Sequence, residues 1–221
     1  MSDLLVDLGQ RLYDGDAPGV TKLVEQAIAR GLPAQQILNA GLLPGMERVG
    51  RDFKDGELFI PEVIVAARAM HAGLGLLNPL LAAAATPASH KIVLGTVKGD
   101  LHDIGKRLVG IMMQGAGFQV VDLGHDVSPE RFVQVAHLEK PDLIGMSALL
   151  STTMPMMKAT IEAIRAAGLP SAVKVLVGGA PVTQAWADEI GADGYAPDAV
   201  SAVDCARKVL GASTCQAVPK P

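Results

Sequence analysis

The sequence predicts an α/β chain in two parts, a four-helix bundle over residues 1–85 and a parallel five-stranded sheet with helices over residues 91–212. Three observations predict it. The first part carries apolar residues at helical spacing in four stretches. The second alternates short aliphatic runs with helical stretches. Between them AAAATPASH (residues 82–90) fits neither pattern, and residues 86–90 are read as a linker.

In the first part, Leu4, Leu5, Leu8 and Leu12 share one helical face, and a turn comes next at Asp14-Gly15-Asp16. Pro18 suits the first turn of a second helix, whose stripe is Val20, Leu23, Val24, Ala27 and Ile28. Gly31 ends it. Pro33 opens a third helix carrying Ile37, Leu38, Leu42, Met46 and Val49, which stops near Asp55-Gly56. A fourth starts around Leu58 to Pro61 and runs through Val63, Ile64, Ala67, Met70, Leu74 and Leu77. Short loops between amphipathic helices give a bundle. In the second part the strands are Ile92–Val97, Gln119–Leu123, Leu143–Ser147, Val173–Val177 and a weak Gly194–Ala196. The helices span roughly 105–115, 129–138, 154–167, 182–190 and 198–210. Unbroken aliphatic strands call for a sheet covered on both faces, so this is a doubly wound, flavodoxin-like (Rossmann-like) domain. Residues 213–221 are expected to be a flexible tail.

Composition narrows the function. The chain is 49% hydrophobic with a net charge of −4, which excludes disorder. A pI near 5.7 argues against nucleic acid or an anionic membrane as partner. No apolar run is expected to reach the roughly 18 residues of a membrane span. Cys205 and Cys215 form no CxxC and no zinc spacing. The simplest expectation is a cytoplasmic, reduced protein.

Ligands of such sheets bind at the carboxyl ends of strands. The first strand ends Lys98-Gly99-Asp100-Leu101-His102-Asp103-Ile104-Gly105-Lys106. It has too few glycines for a phosphate loop, and it sets an imidazole between carboxylates. A neutral imidazole oriented by a carboxylate is a good transition-metal ligand. Alone, this spacing reads first as a surface loop with a solvated histidine. The third strand ends Ser147-Ala148-Leu149-Leu150-Ser151-Thr152-Thr153, whose hydroxyls have helix capping as their plain role. The fourth ends Gly178-Gly179, which suits a ligand approaching the backbone or simply a tight turn.

Together, Asp100-x-His102-x-x-Gly105, Ser147-x-Leu149 and Gly178-Gly179 resemble the cobalamin-binding domain of corrinoid methyltransferases. The stretch Asp52 to Val63 (DFKDGELFIPEV) resembles the end of the helical cap that precedes this domain in cobalamin-dependent methionine synthase. It is equally similar to the cap of corrinoid proteins in methanol, methylamine, betaine and aryl methyl ether demethylation. The resemblance implies that His102 is the lower axial ligand of cobalt in a bound cobalamin or related corrinoid. Asp100 would hydrogen-bond His102, and Thr153 would extend that relay. Asp103, Ile104, Gly105, Ser147, Leu149, Ser151, Gly178 and Gly179 would bind the cofactor, with Ser151 where the family often has threonine. Tyr195 and Ala196, at the last strand end, are expected to close over the nucleotide tail. Phe53, Ile60 and Val63 match positions covering the methyl-bearing face, although by helical spacing alone they read as bundle core.

The function implied is a methyl carrier. Its cobalt accepts a methyl group from a substrate-specific methyltransferase and passes it to a second methyltransferase of tetrahydrofolate or coenzyme M type. A reductive activase is a further expected partner. The chain shows no barrel, zinc site or folate domain, so the donor chemistry is expected in those partners. A cobalamin-based light or redox sensor fits less well, because the first part holds no tryptophan and no basic helix. An adenosylcobalamin mutase small subunit generally lacks a helical cap, and a flavodoxin-like nucleotide binder without cobalt is the plainest alternative.

Overall fold

A computed structural model of the chain describes residues 2–83, 90–169 and 173–211. The chain divides into two compact units, residues 1–89 with 114–117 and residues 90–113 with 118–221. Residues 86–89 of the expected linker, the expected tail 213–221 and Cys215 lie outside the described residues.

The first unit begins with α1 (Ser2–Tyr13) and α2 (Ala17–Ala29). Leu5, Leu8 and Leu12 on α1 and Val20, Val24 and Ala27 on α2 are buried, the stripes expected from spacing. Asp16 caps α2 by accepting from the Gly19 N–H at 2.9 Å. The third helix is less regular than its sequence suggests. It runs as α3 (Ala34–Ile37), a π-helical turn (Leu38–Leu42) and α4 (Leu43–Lys54). Gly41 and Gly45 both lie against α1. A Cβ on Gly41 would come 2.7 Å from Leu8, and one on Gly45 would come 2.7 Å from the carbonyl oxygen of Gly9. The helices therefore meet backbone to backbone, a spacing only glycine permits. Tyr13 fastens the far end, donating to Asp52 at 2.7 Å with the Arg48 guanidinium 4.0 Å from its ring.

Helix α5 (Ile60–Ala83) is 24 residues long. By length and composition, Ile60–Leu81 is apolar enough to cross a membrane, which departs from the sequence expectation because Glu62 and Arg68 are too few to lower its hydropathy. Its inward stripe of Val63, Ala66, Ala67, Met70 and Leu77 is buried, and a Cβ on Gly73 would press on Leu42 and Val20.

The second unit is a five-stranded parallel sheet in the order β2-β1-β3-β4-β5. The strands are β1 (Lys91–Thr96), β2 (Gln119–Asp122), β3 (Leu143–Ser147), β4 (Lys174–Gly178) and β5 (Gly194–Ala196). They alternate with α6 (Ile104–Gly115), α7 (Pro129–Glu139), α8 (Pro155–Ala166), α9 (Gln184–Ile190) and α10 (Ala199–Val209). On one face Val93, Phe132, Ile144, Met157, Ile161 and Val177 form a buried core, and Phe132 fills the space left by Gly95. The strand β2 departs from the expected buried aliphatic run. It is an edge strand, and none of its residues is fully buried. The order reverses between β1 and β3, and in such sheets ligands sit at that switch point. The register sets Thr96 beside Ser147 and Ser147 beside Gly178, so three loops bearing motif residues emerge side by side.

Two glycine substitutions separate close packing from helix propensity. In Gly75→Ala the new Cβ meets nothing within 4 Å, so the melting temperature should rise with a gain of up to about 1 kcal/mol. Gly45→Ala gains the same propensity but forces α1 and α4 apart, at a cost of roughly 1–3 kcal/mol. Its melting temperature should fall. Thermal unfolding of both variants checks this, and a stabilised Gly45→Ala would contradict the backbone contact.

Candidate cofactor site

The site is built on Asp100, whose side chain is fully buried. Its Oδ1 accepts from the His102 backbone N–H at 3.1 Å and faces the ring Nδ1 at 2.8 Å. Its Oδ2 accepts from the Leu149 N–H at 2.7 Å, the Leu150 N–H at 3.2 Å and the Thr153 hydroxyl at 2.8 Å. Burial opposes the charge. The N–H groups of Leu149 and His102, then the Thr153 hydroxyl and the His102 ring, outweigh it and hold the carboxyl far below its ordinary 3.8. One carboxylate thus ties the loop after β1 to the loop after β3.

The ionised Asp100 can only accept, so the ring nitrogen facing it carries the proton. In the neutral ring that leaves Nε2 of His102 with a free lone pair, on a side chain 51% exposed. Exposed apolar side chains come from the same two loops and the start of α6: Leu101 and Ile104 near His102 in sequence, and Leu149 and Leu150 after β3. Gly105, in the first turn of α6, has nothing within 4 Å of a would-be Cβ. No protein atom therefore explains the glycine there. An oriented imidazole lone pair, an apolar surround and a bare backbone on one side fit a large flat metallocycle with a pendant arm.

The other motif residues divide. Thr153 is buried and does not cap α8, which has no side-chain cap. Its single proton has Asp100 and the Leu150 carbonyl as acceptors, both at 2.8 Å. Ser147 hydrogen-bonds Thr96 at 2.9 Å. Ser151 is exposed. Asp103 is turned to Arg107, which donates to it at 2.7 Å. Gly178 and Gly179 are needed by the fold itself. A Cβ on Gly178 would come 2.8 Å from the Ala196 oxygen. Gly179 has φ +125°, and its Cβ would come 1.9 Å from the Ala148 oxygen. A large side chain at Gly179 therefore disrupts the strand ends before it can block a ligand, which favours the tight-turn reading of this pair. Tyr195, expected with Ala196 to close over the nucleotide tail, leans on the sheet core, and Ala196 is buried.

Among the three helical positions, Phe53 is half-buried and Ile60 is 44% exposed, but Val63 is fully buried. Val63 belongs to the inward stripe of α5 and has no surface to offer a ligand, which corrects its assignment. Phe59, 67% exposed beside Ile60, is the apolar residue that sequence reading passed over.

Three further residues escaped the sequence reading. Leu150 acts through its N–H, which no side-chain pattern reveals. Thr96 is a fully buried hydroxyl ending an aliphatic run, and that polar ending was the available signal. Asp126 gave none. It has φ +55°, accepts from the Gly99 N–H at 2.8 Å and from Lys98 at 3.0 Å, and donates its own N–H to the Asp100 carbonyl at 3.0 Å. The Gly99 N–H and Lys98 lower its pKa. It clasps the turn that delivers Asp100.

The depressed Asp100 carboxyl makes stability depend on pH. The unfolded chain takes up a proton near 3.8 while the folded chain still resists it, so stability from Asp100 is complete above that value and is lost as pH falls below it. Asp100→Asn should therefore be clearly less stable than wild type at pH 7, with the gap narrowing below about pH 4. Urea unfolding at both pH values checks this, and a gap independent of pH would count against the ionised carboxylate.

Comparison with known proteins gives the family. A family model described as a B12 binding domain matches residues 90–204, and a second of the same description matches residues 4–78. The chain is 46% identical to a corrinoid protein of Desulfitobacterium hafniense (strain Y51) over 211 residues, covering 94% of this chain and 98% of the relative. It is 44% identical over 209 residues to the dimethylamine corrinoid protein of Methanosarcina barkeri, covering 94% and 98%. It is also similar to a chain in the crystal structure of the methanol:cobalamin methyltransferase complex of Methanosarcina barkeri. That match has a TM-score of 0.85 and 28% identity, and covers 96% of this chain and 81% of the other. With both parts matched in series and such identity over nearly its whole length, the chain belongs to the family of B12-binding corrinoid proteins.

Proposed function

We propose that this chain is the methyl-carrying subunit of a methyltransferase system of methylamine or methanol type, with His102 as the protein ligand to a corrinoid cobalt. The observation that carries the reading is the His102 ring, half-exposed and fixed by a buried, ionised Asp100 at 2.8 Å. A bound corrinoid supplies a cobalt that takes up and gives away a methyl group. The chain does the rest. His102 offers Nε2, Asp100 holds the Nδ1 proton, and Thr153 steadies the Asp100 charge. Leu101, Ile104, Leu149 and Leu150 exclude water around the ligand. Gly105 leaves the first turn of α6 bare for the nucleotide arm, and Ser147 lines its path. Gly178 and Gly179 serve from behind, by letting the ends of β3, β4 and β5 lie close.

Two methyltransferases complete the system, one specific for the methylated substrate and one for the acceptor, with a reductive activase to restore the oxidised cobalt. The match to a chain from a methanol:cobalamin methyltransferase complex and the identity to a dimethylamine corrinoid protein support a docked methyltransferase partner.

Two measurements test the reading. Electron paramagnetic resonance of the protein loaded with cob(II)alamin should show nitrogen splitting from a protein imidazole. His102→Ala should lose that splitting while retaining some cofactor, and splitting that persists would sink the ligand assignment. Gly105→Leu points a side chain into open space, so it should fold with a near wild-type melting temperature. Its corrinoid affinity should drop by on the order of tenfold or more, as overlap with the arm cannot be relieved. Wild-type affinity in the folded variant would move the arm elsewhere.

A further inference from the structure

Thr96 ends β1 and is fully buried. The parallel register places it beside Ser147, and the two hydroxyl oxygens lie 2.9 Å apart. Thr96 Oγ1 also lies 3.0 Å from the His102 carbonyl oxygen. A carbonyl only accepts, so the single Thr96 proton goes to His102, and Ser147 must be the donor to Thr96. The bonds form a directed chain from Ser147 through Thr96 to the backbone of His102, each polarising the next. Asp100 already grips the same residue by its N–H and ring. Between Asp100 and α6 the segment holding His102 has no regular structure, so without Thr96 the carbonyl side of the residue could pivot.

We propose that Thr96 is a positioning residue for the cobalt ligand, fixing the His102 carbonyl so that the ring meets Asp100 and presents Nε2 in a single orientation. Three bonds to three parts of one residue leave it no axis to turn about. The geometry stands by itself, while the consequence for cobalt rests on the corrinoid reading. A threonine that merely satisfied a loop carbonyl would affect melting and nothing else.

The test uses Thr96→Val, which keeps the shape and removes the hydroxyl, and Thr96→Ser, which restores the hydroxyl. In the protein without cofactor, nitrogen-15 resonances of the imidazole report which ring nitrogen holds the proton. Wild type and Thr96→Ser should show the Nδ1–H form, and Thr96→Val a mixture with Nε2–H. In protein loaded with cob(II)alamin, the ratio of His-on to His-off cobalt should fall in Thr96→Val by on the order of three- to tenfold, the worth of one buried hydrogen bond, and recover in Thr96→Ser. A folded Thr96→Val with wild-type tautomer and wild-type ratio would overturn the proposal, even if it melted earlier. If Thr96→Val does not fold, Thr96→Cys, close in size and a weak donor, is read by the same two signals. A wild-type protein with no nitrogen splitting would instead overturn the corrinoid reading, leaving the tautomer measurement to judge Thr96.

Discussion

A single buried carboxylate organises the second unit's upper edge. Asp100 accepts five hydrogen bonds from two loops, and its charge persists because N–H and O–H donors replace the water that burial removed. Everything useful about His102 depends on this. The ring is oriented because Oδ1 holds Nδ1, its tautomer is set because the carboxylate stays ionised, and its outer nitrogen is available because the inner one is engaged. The loop after β3 is shaped by the same charge, since the Leu149 and Leu150 N–H groups turn toward it and leave their side chains outward. A buried ion that ties two loops together is costly to leave unpaired, so the loops keep one arrangement.

The fold was legible because its signals are periodic. Helical spacing and unbroken strands gave the two parts, and strand ends gave the place to look for chemistry. Periodicity could not see backbone irregularity. The third helix looked continuous because a π-helical turn keeps the chain helical while shifting its phase. The edge position of β2 was hidden because Val120 and Val121 read as aliphatic wherever they lie. In the site, Thr153 entered only through the family resemblance, while Asp100 and His102 were legible as a motif. Leu150 and Asp126 were not, because they act through main-chain groups and through a left-handed turn that a lone aspartate does not announce.

The motif glycines differ in what surrounds them. Gly179 suited either a ligand position or a tight turn, and the close approach of the Ala148 carbonyl gives it a packing reason. Gly105 was expected to bind the cofactor, and nothing among the described residues requires it to be glycine. A glycine crowded by its own protein reports on packing. A glycine facing open space in the first helical turn after a strand, as Gly105 does, leaves room for something outside the chain.

The π-helical turn at Leu38–Leu42 also sets the direction in which the side chains of α4 point. Such a turn holds one residue more than an α-helical turn, which rotates every later side chain by about 100°. Gly41 and Gly45 then both face α1, while Arg48 and Asp52 reach Tyr13 and Phe53 is carried to a half-buried position. Residues on both sides of the turn are buried in the bundle, Ile37 before it and Met46 and Val49 after it. Removing one residue there would heal the helix into regular geometry and yet rotate Phe53 by more than a quarter of a circle. The phase of the helix is therefore information stored in chain length, which substitutions alone could not rewrite.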